Sequence, residues 1–220
     1  MLQDGVYKLS DAARYVGVSA STLRAWFKPR SDGRGLGPIF QTPYPVVDGD
    51  YAINFVNLIE AHVARFFRGE GVSPKVVRKA HEILRRDLKT LHPFAHEDLR
   101  TDGAAIIRRT ADEVGNTLLT DVVTNNRIFK ELESGLTRIQ YGADKLAELW
   151  RIARGVTIDP HRAFGHPTVA NSGVTTFILA AQFEANDRDA DLVASLYEVT
   201  PADVVDAVEF EESLIVPKAA

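Results

Sequence analysis

Apolar residues near the start of the chain recur with the spacing of two short helices. They form two facing apolar stripes, whose members are Ala12, Ala13, Val16, Leu23, Trp26 and Phe27. Ser10 is suited to cap the first helix, Gly17 to end it, and Ser19 to cap the second. This pattern is typical of a helix-turn-helix unit, although an ordinary helical hairpin would have a similar one.

The following residues predict a hairpin and two longer helices. Residues 44–47 and 50–53 flank Asp48 and Gly49, a pair that favours a two-residue hairpin turn. A hairpin directly after a helix-turn-helix would form a wing. Amphipathic spacing predicts a helix over residues 54–68, and Ser73 followed by Pro74 predicts the start of another that runs to about residue 90.

The pattern changes after residue 102. Apolar and β-branched content predicts strands over residues 103–109 and 116–124, and a helix over 127–141. Residues 145–154 fit either a strand or a helix. The last block predicts three short helices, over residues 175–185, over residues 189–197, and from Thr200 and Pro201 onwards. Asn186 is suited to the left-handed position after the first of them.

Together these elements predict an α+β fold that is mainly helical. We expect a winged helix-turn-helix with a helical extension in residues 1–95 and a small mixed α/β segment in residues 96–154. Residues 155–220 should form a C-terminal three-helix domain that resembles a second helix-turn-helix.

Charge is distributed unevenly along the 220 residues, although the net charge is only −4. Residues 1–36 carry six basic and three acidic side chains, and residues 62–110 carry eleven basic and six acidic ones. Residues 155–220 carry three basic and eleven acidic side chains. This polarity favours a phosphate-rich partner for the first half and a basic partner for the second, although an unevenly charged solvated surface would also produce it.

Composition also bears on where the protein is found. The chain contains no cysteine, which excludes disulfides and thiolate chemistry and fits a reducing compartment. The first residues lack the features of a secretory signal, and the longest apolar run is too short to span a bilayer. We therefore expect a cytoplasmic protein that has no membrane association.

The second helix of the helix-turn-helix should present its polar face to the major groove of DNA. Arg24 is suited to read a guanine edge, while Ser21, Thr22 and Lys28 are suited to hold phosphates. The complete set of expected DNA-binding residues is Ser19, Ser21, Thr22, Arg24, Lys28, Arg30 and Arg34. Arg30 and Arg34 lie in a glycine-rich loop that fits a plain surface connection equally well.

Two further charged faces follow from the helical spacing. The helix after Ser73 carries a basic stripe, which either extends the DNA contact or is simply solvated; its members are Lys75, Arg78, Lys79, Arg85, Arg86 and Lys89. The last helix carries an acidic face that would repel DNA, so we expect it to bind a protein partner. The expected partner-binding residues are Asp203, Asp206, Glu209 and Glu211.

The sequence offers little support for catalysis. It has no nucleophile elbow, no phosphate-binding loop and no His-Glu-x-x-His motif. His92 and His96 lack further ligands at useful spacing, so we expect neither a metal site nor a cofactor. The chain is therefore interpreted as a binding protein and not as an enzyme.

The order of these motifs resembles the VapB-type antitoxins that combine a MerR-like helix-turn-helix with a C-terminal domain of unknown function. The C-terminal part of the resemblance rests on Ile158-Asp159-Pro160, Phe164-Gly165-His166-Pro167 and Gly173-Val174-Thr175-Thr176. The resemblance implies a dimer that holds a PIN-domain ribonuclease toxin of the VapC type inactive and represses the shared operon by binding operator DNA.

One departure from the family affects the expected mechanism. Many such antitoxins block the acidic toxin site with a basic C-terminal tail, whereas this chain ends in an acidic helix. An alternative hypothesis is that the acidic helix covers a basic RNA groove of the toxin by imitating phosphate. A different function is also open, namely a stand-alone MerR-like transcription regulator that responds to a small ligand.

Overall fold

A computed structural model describes residues 5–28, 37–46, 50–101, 103–115, 126–170 and 172–215. The chain forms two compact units that divide between Glu148 and Leu149, where the sequence pattern led us to expect three domains. We call Tyr7–Glu148 the N-terminal unit and residues 149–215 the C-terminal unit. The fold is α+β and mainly helical, as predicted. Among the helices of the described ranges, none is long and apolar enough to cross a membrane.

The N-terminal unit begins with two short helices, α1 (Leu9–Val16) and α2 (Ala20–Phe27). Gly17 adopts a left-handed conformation with φ 75° and donates its N–H to the carbonyls of Ala13 and Arg14, which ends α1. The six residues of the predicted apolar stripes are all buried. The prediction for Ser10 was wrong, because α1 begins at Leu9 and its N-cap is Lys8, two residues before Ser10.

The predicted wing hairpin does not form in the described residues. Strand β2 (Ala52–Asn54) pairs with β1 (Val6–Lys8), and residues 44–46 form no strand. The Thr42 hydroxyl donates to the Ala52 carbonyl and accepts from the Tyr44 N–H at 3.2 Å, which holds this segment in a local turn. The predicted turn at Asp48 and Gly49 lies outside the described residues.

Two long helices follow, α3 (Phe55–Gly69) and α4 (Pro74–Leu88). Asn54 and Ser73 cap them by accepting backbone N–H groups three residues ahead, which confirms the predicted cap at Ser73. A one-turn 3-10 helix (Pro93–Ala95) then leads into α5 (Glu97–Thr101). The core between these helices is aromatic, since Phe40, Phe67 and Phe94 are all buried.

The strand predicted over residues 103–109 was wrong, because this segment belongs to helix α6 (Gly103–Val114). Ile106, Ile107, Thr110 and Ala111 are buried on one face of α6, which packs against α4. The strand predicted over residues 116–124 lies outside the described residues. The helix predicted over residues 127–141 is α7 (Asn126–Thr137), which packs against α3. The end of that prediction was wrong, because strand β3 (Ile139–Tyr141) occupies it.

Strand β4 (Ala147–Ala153) resolves the ambiguity in residues 145–154, and the division between the units falls within it. In the C-terminal unit, β4 pairs antiparallel with β5 (Val156–Ile158), which pairs antiparallel with β6 (Thr168–Val169). The three predicted helices follow as α8 (Thr176–Ala185), α9 (Ala190–Tyr197) and α10 (Pro201–Ile215). Their shared core contains Val169, Leu179, Val193, Ala194, Val204 and Ala207.

Local capping signals in the C-terminal unit were only partly predictive. Asp189 caps α9 by accepting the Leu192 N–H at 2.9 Å, as expected for the start of the second helix. Asn186 does not take the left-handed conformation, since its φ is −116°; Asp187 and Arg188 do so instead, with φ of 54° and 61°. The left-handed conformation in the turn between α8 and α9 therefore begins one residue later than predicted.

Candidate nucleic-acid interface and acidic helix

The exposed start of α2 displays three of the expected DNA-binding hydroxyls. Ser19 is the N-cap, and its hydroxyl accepts the Thr22 N–H at 3.1 Å. The same hydroxyl lies 2.7 Å from the Thr22 hydroxyl and 3.0 Å from that of Ser21. A helix N-terminus with exposed hydroxyls is suited to contact a phosphate oxygen. The structure thus brings Ser19, Ser21 and Thr22 into one small cluster.

Arg24 lies on the outer face of α2 and is already oriented by a carboxylate. Its Nη2 is 3.2 Å from Oδ1 of Asp50, and its side chain is 45% exposed. To reach a guanine edge, the guanidinium would have to keep this partner while using its other donors, or exchange it for the base. Lys28, at the C-terminal end of α2, is also exposed. Arg30 and Arg34 lie outside the described residues.

Two exposed basic side chains at α1 were not among the predicted DNA-binding residues. Lys8 is the N-cap of α1, and Arg14 lies in its last turn. In helix-turn-helix proteins the first helix crosses the DNA backbone, so cations on that helix are suited to phosphate contacts. Their charge is evident in the sequence, but the expected DNA contact comprised only the second helix and the loop after it.

The basic stripe on α4 serves the fold more than the sequence suggested. Arg78 is buried, and its Nε donates to the Pro38 carbonyl at 3.3 Å. Arg86 forms two 2.9 Å bonds with the carboxylate of Glu113 and another with Asp87. The hydrogen bonds from Arg86 hold the pKa of Glu113 below its ordinary value. Arg78 was therefore wrongly placed on the outer face.

The expected partner-binding acids have contacts within the C-terminal unit. Asp203 is buried and accepts the N–H and hydroxyl of Thr200 at 2.9 and 2.7 Å, while the Thr200 hydroxyl accepts the Asp203 N–H. This reciprocal arrangement is a capping box for α10. Glu211 accepts the Thr176 hydroxyl at 2.5 Å, which links α10 to the start of α8.

Asp206 and Glu209 share one arginine. The Arg154 guanidinium lies 2.6 Å from Asp206 and 3.1 Å from Glu209, and these contacts raise its pKa. The Asp206 carboxylate also covers Gly155, where a Cβ atom would come within 2.1 Å of Oδ2. Of the four acids, Glu209 is the most exposed. Because all four have partners within the unit, the predicted acidic face presents less free charge than its sequence indicates.

A buried charge cluster in the N-terminal unit was not found by reading the sequence. The Glu60 carboxylate on α3, 1% exposed, accepts from His81 Nε2 at 2.8 Å and from His92 Nδ1 at 3.0 Å. Burial raises the pKa of Glu60, but the hydrogen bonds and charge of the two histidines outweigh this and hold the pKa below its ordinary value. One carboxylate thus ties α3 to α4 and to the loop after it.

This cluster lies beside a cavity and beside the segment that follows α2. The cavity, of about 260 Å³, is lined by Glu60, His81, His92 and residues of the segment 38–43. Phe40 packs edge-on against the His81 ring at 5.3 Å, and its backbone N–H donates to the Trp26 carbonyl of α2 at 3.1 Å. In the described residues, no group of three or more metal-ligating side chains is arranged to hold a metal ion.

Comparison with known proteins gives three findings. A family model described as "Protein of unknown function (DUF433)" matches residues 156–210. The "Putative antitoxin VapB45" of Mycobacterium tuberculosis (strain ATCC 25618 / H37Rv) is 30% identical over 223 residues, which cover 93% of this chain and 92% of that protein. The crystal structure of Rv2018 from Mycobacterium tuberculosis superposes with a TM-score of 0.75 at 30% identity, covering 92% of this chain and 96% of that chain.

These similarities extend over both units. The match to VapB45 includes nearly the whole of each chain, so it covers both the N-terminal and the C-terminal unit. The family model falls within the C-terminal unit and includes the motifs on which the sequence resemblance rested. The chain belongs to the VapB-type antitoxins that carry a DUF433 domain.

Proposed function

We propose that this protein is the antitoxin of a type II toxin–antitoxin system, which neutralises a PIN-domain ribonuclease toxin of the VapC type and represses its own operon. The observation that carries the proposal is the full-length similarity to an antitoxin. The protein acts by binding and not by catalysis. We expect it to work as a cytoplasmic homodimer, because two-fold symmetry matches the palindromic operators that helix-turn-helix proteins recognise.

The N-terminal unit supports the DNA-binding half of this proposal. The hydroxyl cluster at the start of α2 provides phosphate contacts, and Arg24 lies one helical turn further along the same exposed helix. Lys28 extends the exposed polar face to the end of α2. We propose that α2 enters the major groove, with Arg24 reading a guanine and the other residues fixing the position of the helix.

The C-terminal unit is proposed to hold the toxin. Its charge is opposite to that of a DNA-binding surface, since residues 149–215 carry four basic and eleven acidic side chains. The acids expected to bind the partner do not all have the same role; they are Asp203, Asp206, Glu209 and Glu211. Asp203 and Glu211 stabilise helix ends, whereas the exposed carboxylate of Glu209 could contact a partner without loss of the fold.

The first experiment is co-expression of this chain with the neighbouring reading frame, with an affinity tag on this chain. The proposal expects a small ribonuclease to co-purify and its growth arrest to be relieved. A gel-shift assay with the chain's own promoter tests the second half, with a shuffled promoter as control. If no protein co-purifies and growth is not rescued, the antitoxin function is wrong.

The cavity beside Glu60 supports a second candidate function, the ligand-responsive regulator. The cavity wall includes residues of the segment 38–43, which is hydrogen-bonded to the last turn of α2. An occupant could therefore alter the position of that helix. This candidate expects promoter binding without any co-purifying toxin. A gel shift of the promoter that occurs without toxin and changes when small metabolites are added would favour the ligand-responsive regulator over the antitoxin.

A further inference from the structure

One carboxylate lies beside the helix that is proposed to enter the major groove. Asp50 Oδ1 is 3.2 Å from Arg24 Nη2, and the two residues are 26 positions apart in the chain. The Asp50 side chain is 82% exposed. Exposed ion pairs contribute little to stability, so this pair does little to hold the fold. An exposed acid beside a DNA-binding helix also repels phosphate, and its presence there weakens binding unless it has a second effect.

The backbone next to Asp50 is held in place without the help of its side chain. The Tyr51 carbonyl accepts the N–H of Leu9, the first residue of α1, at 3.3 Å. The following carbonyl, that of Ala52, accepts the Thr42 hydroxyl. Within the described residues, the Asp50 side chain has no hydrogen bond or ion pair other than the one with Arg24. Removing the carboxylate should therefore leave this segment in its place.

The contact limits the orientations of the Arg24 guanidinium. An exposed arginine has many rotamers, and fixing one of them on a base costs side-chain entropy. A carboxylate that already holds one Nη group reduces this cost. A guanidinium has five N–H donors, so a bond to a carboxylate is compatible with a bidentate contact from the same group to the O6 and N7 atoms of guanine. The Asp50 contact thus favours a base over an arbitrary phosphate.

The charge of Asp50 acts in the same direction. DNA carries one phosphate charge per about 1.7 Å of its axis, so a carboxylate beside α2 lies close to phosphates whichever sequence is bound. On a random sequence nothing compensates for this repulsion, and an arginine paired with a carboxylate adds little net positive charge. On the operator, the guanine contact offsets the repulsion. An unfavourable contact of this kind raises specificity at the expense of affinity.

We propose that Asp50 determines the specificity of the DNA contact, because it positions Arg24 for a guanine and lowers the affinity of the protein for other sequences. This inference rests on the proposed function, which places α2 in the major groove of operator DNA. Asp50 is a positioning residue in this arrangement. It acts through Arg24 and through its own charge, without a base contact of its own.

The test measures binding of the full-length chain to a fragment of its own promoter and to random DNA, by fluorescence anisotropy over a range of salt concentrations. Single guanines of the fragment are replaced in turn. The guanine whose replacement no longer matters in Arg24→Ala is the one that Arg24 contacts. We expect Asp50→Ala to reduce discrimination at that guanine at least about 5-fold.

The same variant should gain affinity for random DNA. We expect Asp50→Ala to bind it at least about 3-fold more tightly, with a log–log salt dependence steeper by up to about 0.9, because Arg24 becomes available to one phosphate. Asp50→Asn keeps an oxygen that can accept from Arg24 but loses the charge. It should therefore gain affinity for random DNA as Asp50→Ala does, and keep more of the discrimination.

Two controls separate this role from a general effect of charge or folding. Asp112→Ala removes an exposed acid on α6, changes the net charge by the same amount, and should leave both quantities unchanged. In the Arg24→Ala background, Asp50→Ala should have no further effect on discrimination, whereas a purely structural role would persist there.

Undiminished discrimination in Asp50→Ala, or an equal gain in affinity for random DNA in Asp112→Ala, overturns the role of Asp50 while promoter binding stands. The lack of any guanine whose effect depends on Arg24 overturns it as well. If the original chain does not bind its promoter, the DNA-binding half of the proposed function fails, and this inference fails with it.

Discussion

The two units differ in what their charged side chains do. In the N-terminal unit, the predicted binding residues of α2 lie on an exposed face, and the buried carboxylate of Glu60 on α3 is not one of them. In the C-terminal unit, the predicted binding residues are themselves part of the fold, since Asp203 and Glu211 accept hydrogen bonds that fix helix ends. A charged face in a sequence therefore indicates a binding surface only where local structure does not already use the charge.

The contrast changes how mutations should be interpreted. Substitutions on α2 should alter binding with little effect on stability, whereas substitutions of the acids on α10 should alter stability first. Loss of toxin binding in an α10 variant would then be ambiguous unless its unfolding is measured as well. Measuring binding and unfolding on the same variants separates the two effects.

Glu60→Ala should cause the largest loss of stability. Removing the carboxylate leaves His81 and His92 without their shared buried acceptor, and each buried donor left without its acceptor costs about 1–3 kcal/mol. Urea denaturation of the full chain measures the change. Glu82→Ala, an exposed glutamate that lines the same cavity, should stay within about 0.5 kcal/mol of the original chain. Similar values for both variants would contradict the role of Glu60.

The same carboxylate predicts a pH dependence. Because the pKa of Glu60 is lower in the folded than in the unfolded chain, its stabilisation is complete above the unfolded value of about 4.5 and is lost as the pH falls through the folded value. The difference in stability between the original chain and Glu60→Gln should shrink as the pH falls below about 4.5. A difference that stays unchanged as the pH falls through that range would contradict this assignment.

Some elements of the fold were predictable because their signals are local. Gly17 with Ser19 marks the turn between α1 and α2, and Ser73 with Pro74 starts α4, as the structure confirms. In each case the hydrogen bond that decides the structure joins residues at most five positions apart. The start of α10 at Thr200 and Pro201 follows the same rule.

Other elements depended on contacts that the sequence does not display. The apolar run over residues 103–109 matched a strand by composition, but its buried residues recur with helical spacing and pack on α4. The partner of β2 is a three-residue strand more than forty positions away, so local alternation indicated the wrong hairpin. Glu60 and Arg154 likewise bond to side chains at least 21 positions distant.

Arg24→Ala tests the N-terminal side of the contrast. It should weaken operator binding by about 1–3 kcal/mol if Arg24 reads a base, and should leave the unfolding transition nearly unchanged. Competition gel shifts with operator and random DNA measure the specific part. Arg188→Ala, an exposed arginine of the C-terminal unit that pairs with Glu184, is the matched control and should bind DNA normally. An equal loss on both DNAs would make Arg24 a phosphate contact.

Asp203→Ala tests the C-terminal side. Removing one half of the capping box should destabilise the chain by about 1 kcal/mol, because the Thr200 N–H loses its acceptor. Asp203→Asn should lose less, since its carbonyl oxygen can accept the same bond. Glu212→Ala, an exposed acid on the same helix, should have no measurable effect on thermal unfolding. A loss of toxin affinity in Asp203→Ala at unchanged stability would instead make Asp203 a binding residue.

Arg154→Ala should have the smallest effect. Its guanidinium is exposed to solvent, and exposed ion pairs contribute little because water and salt screen them. We expect a small decrease in the thermal midpoint at low ionic strength that disappears in high salt, measured beside Asp203→Ala. The variant also frees the carboxylate of Glu209, so it should bind a basic partner at least as well as the original chain. A midpoint loss as large as that of Asp203→Ala, persisting in salt, would contradict this and mean that the contact of Arg154 with Asp206 stabilises α10 despite its exposure to solvent.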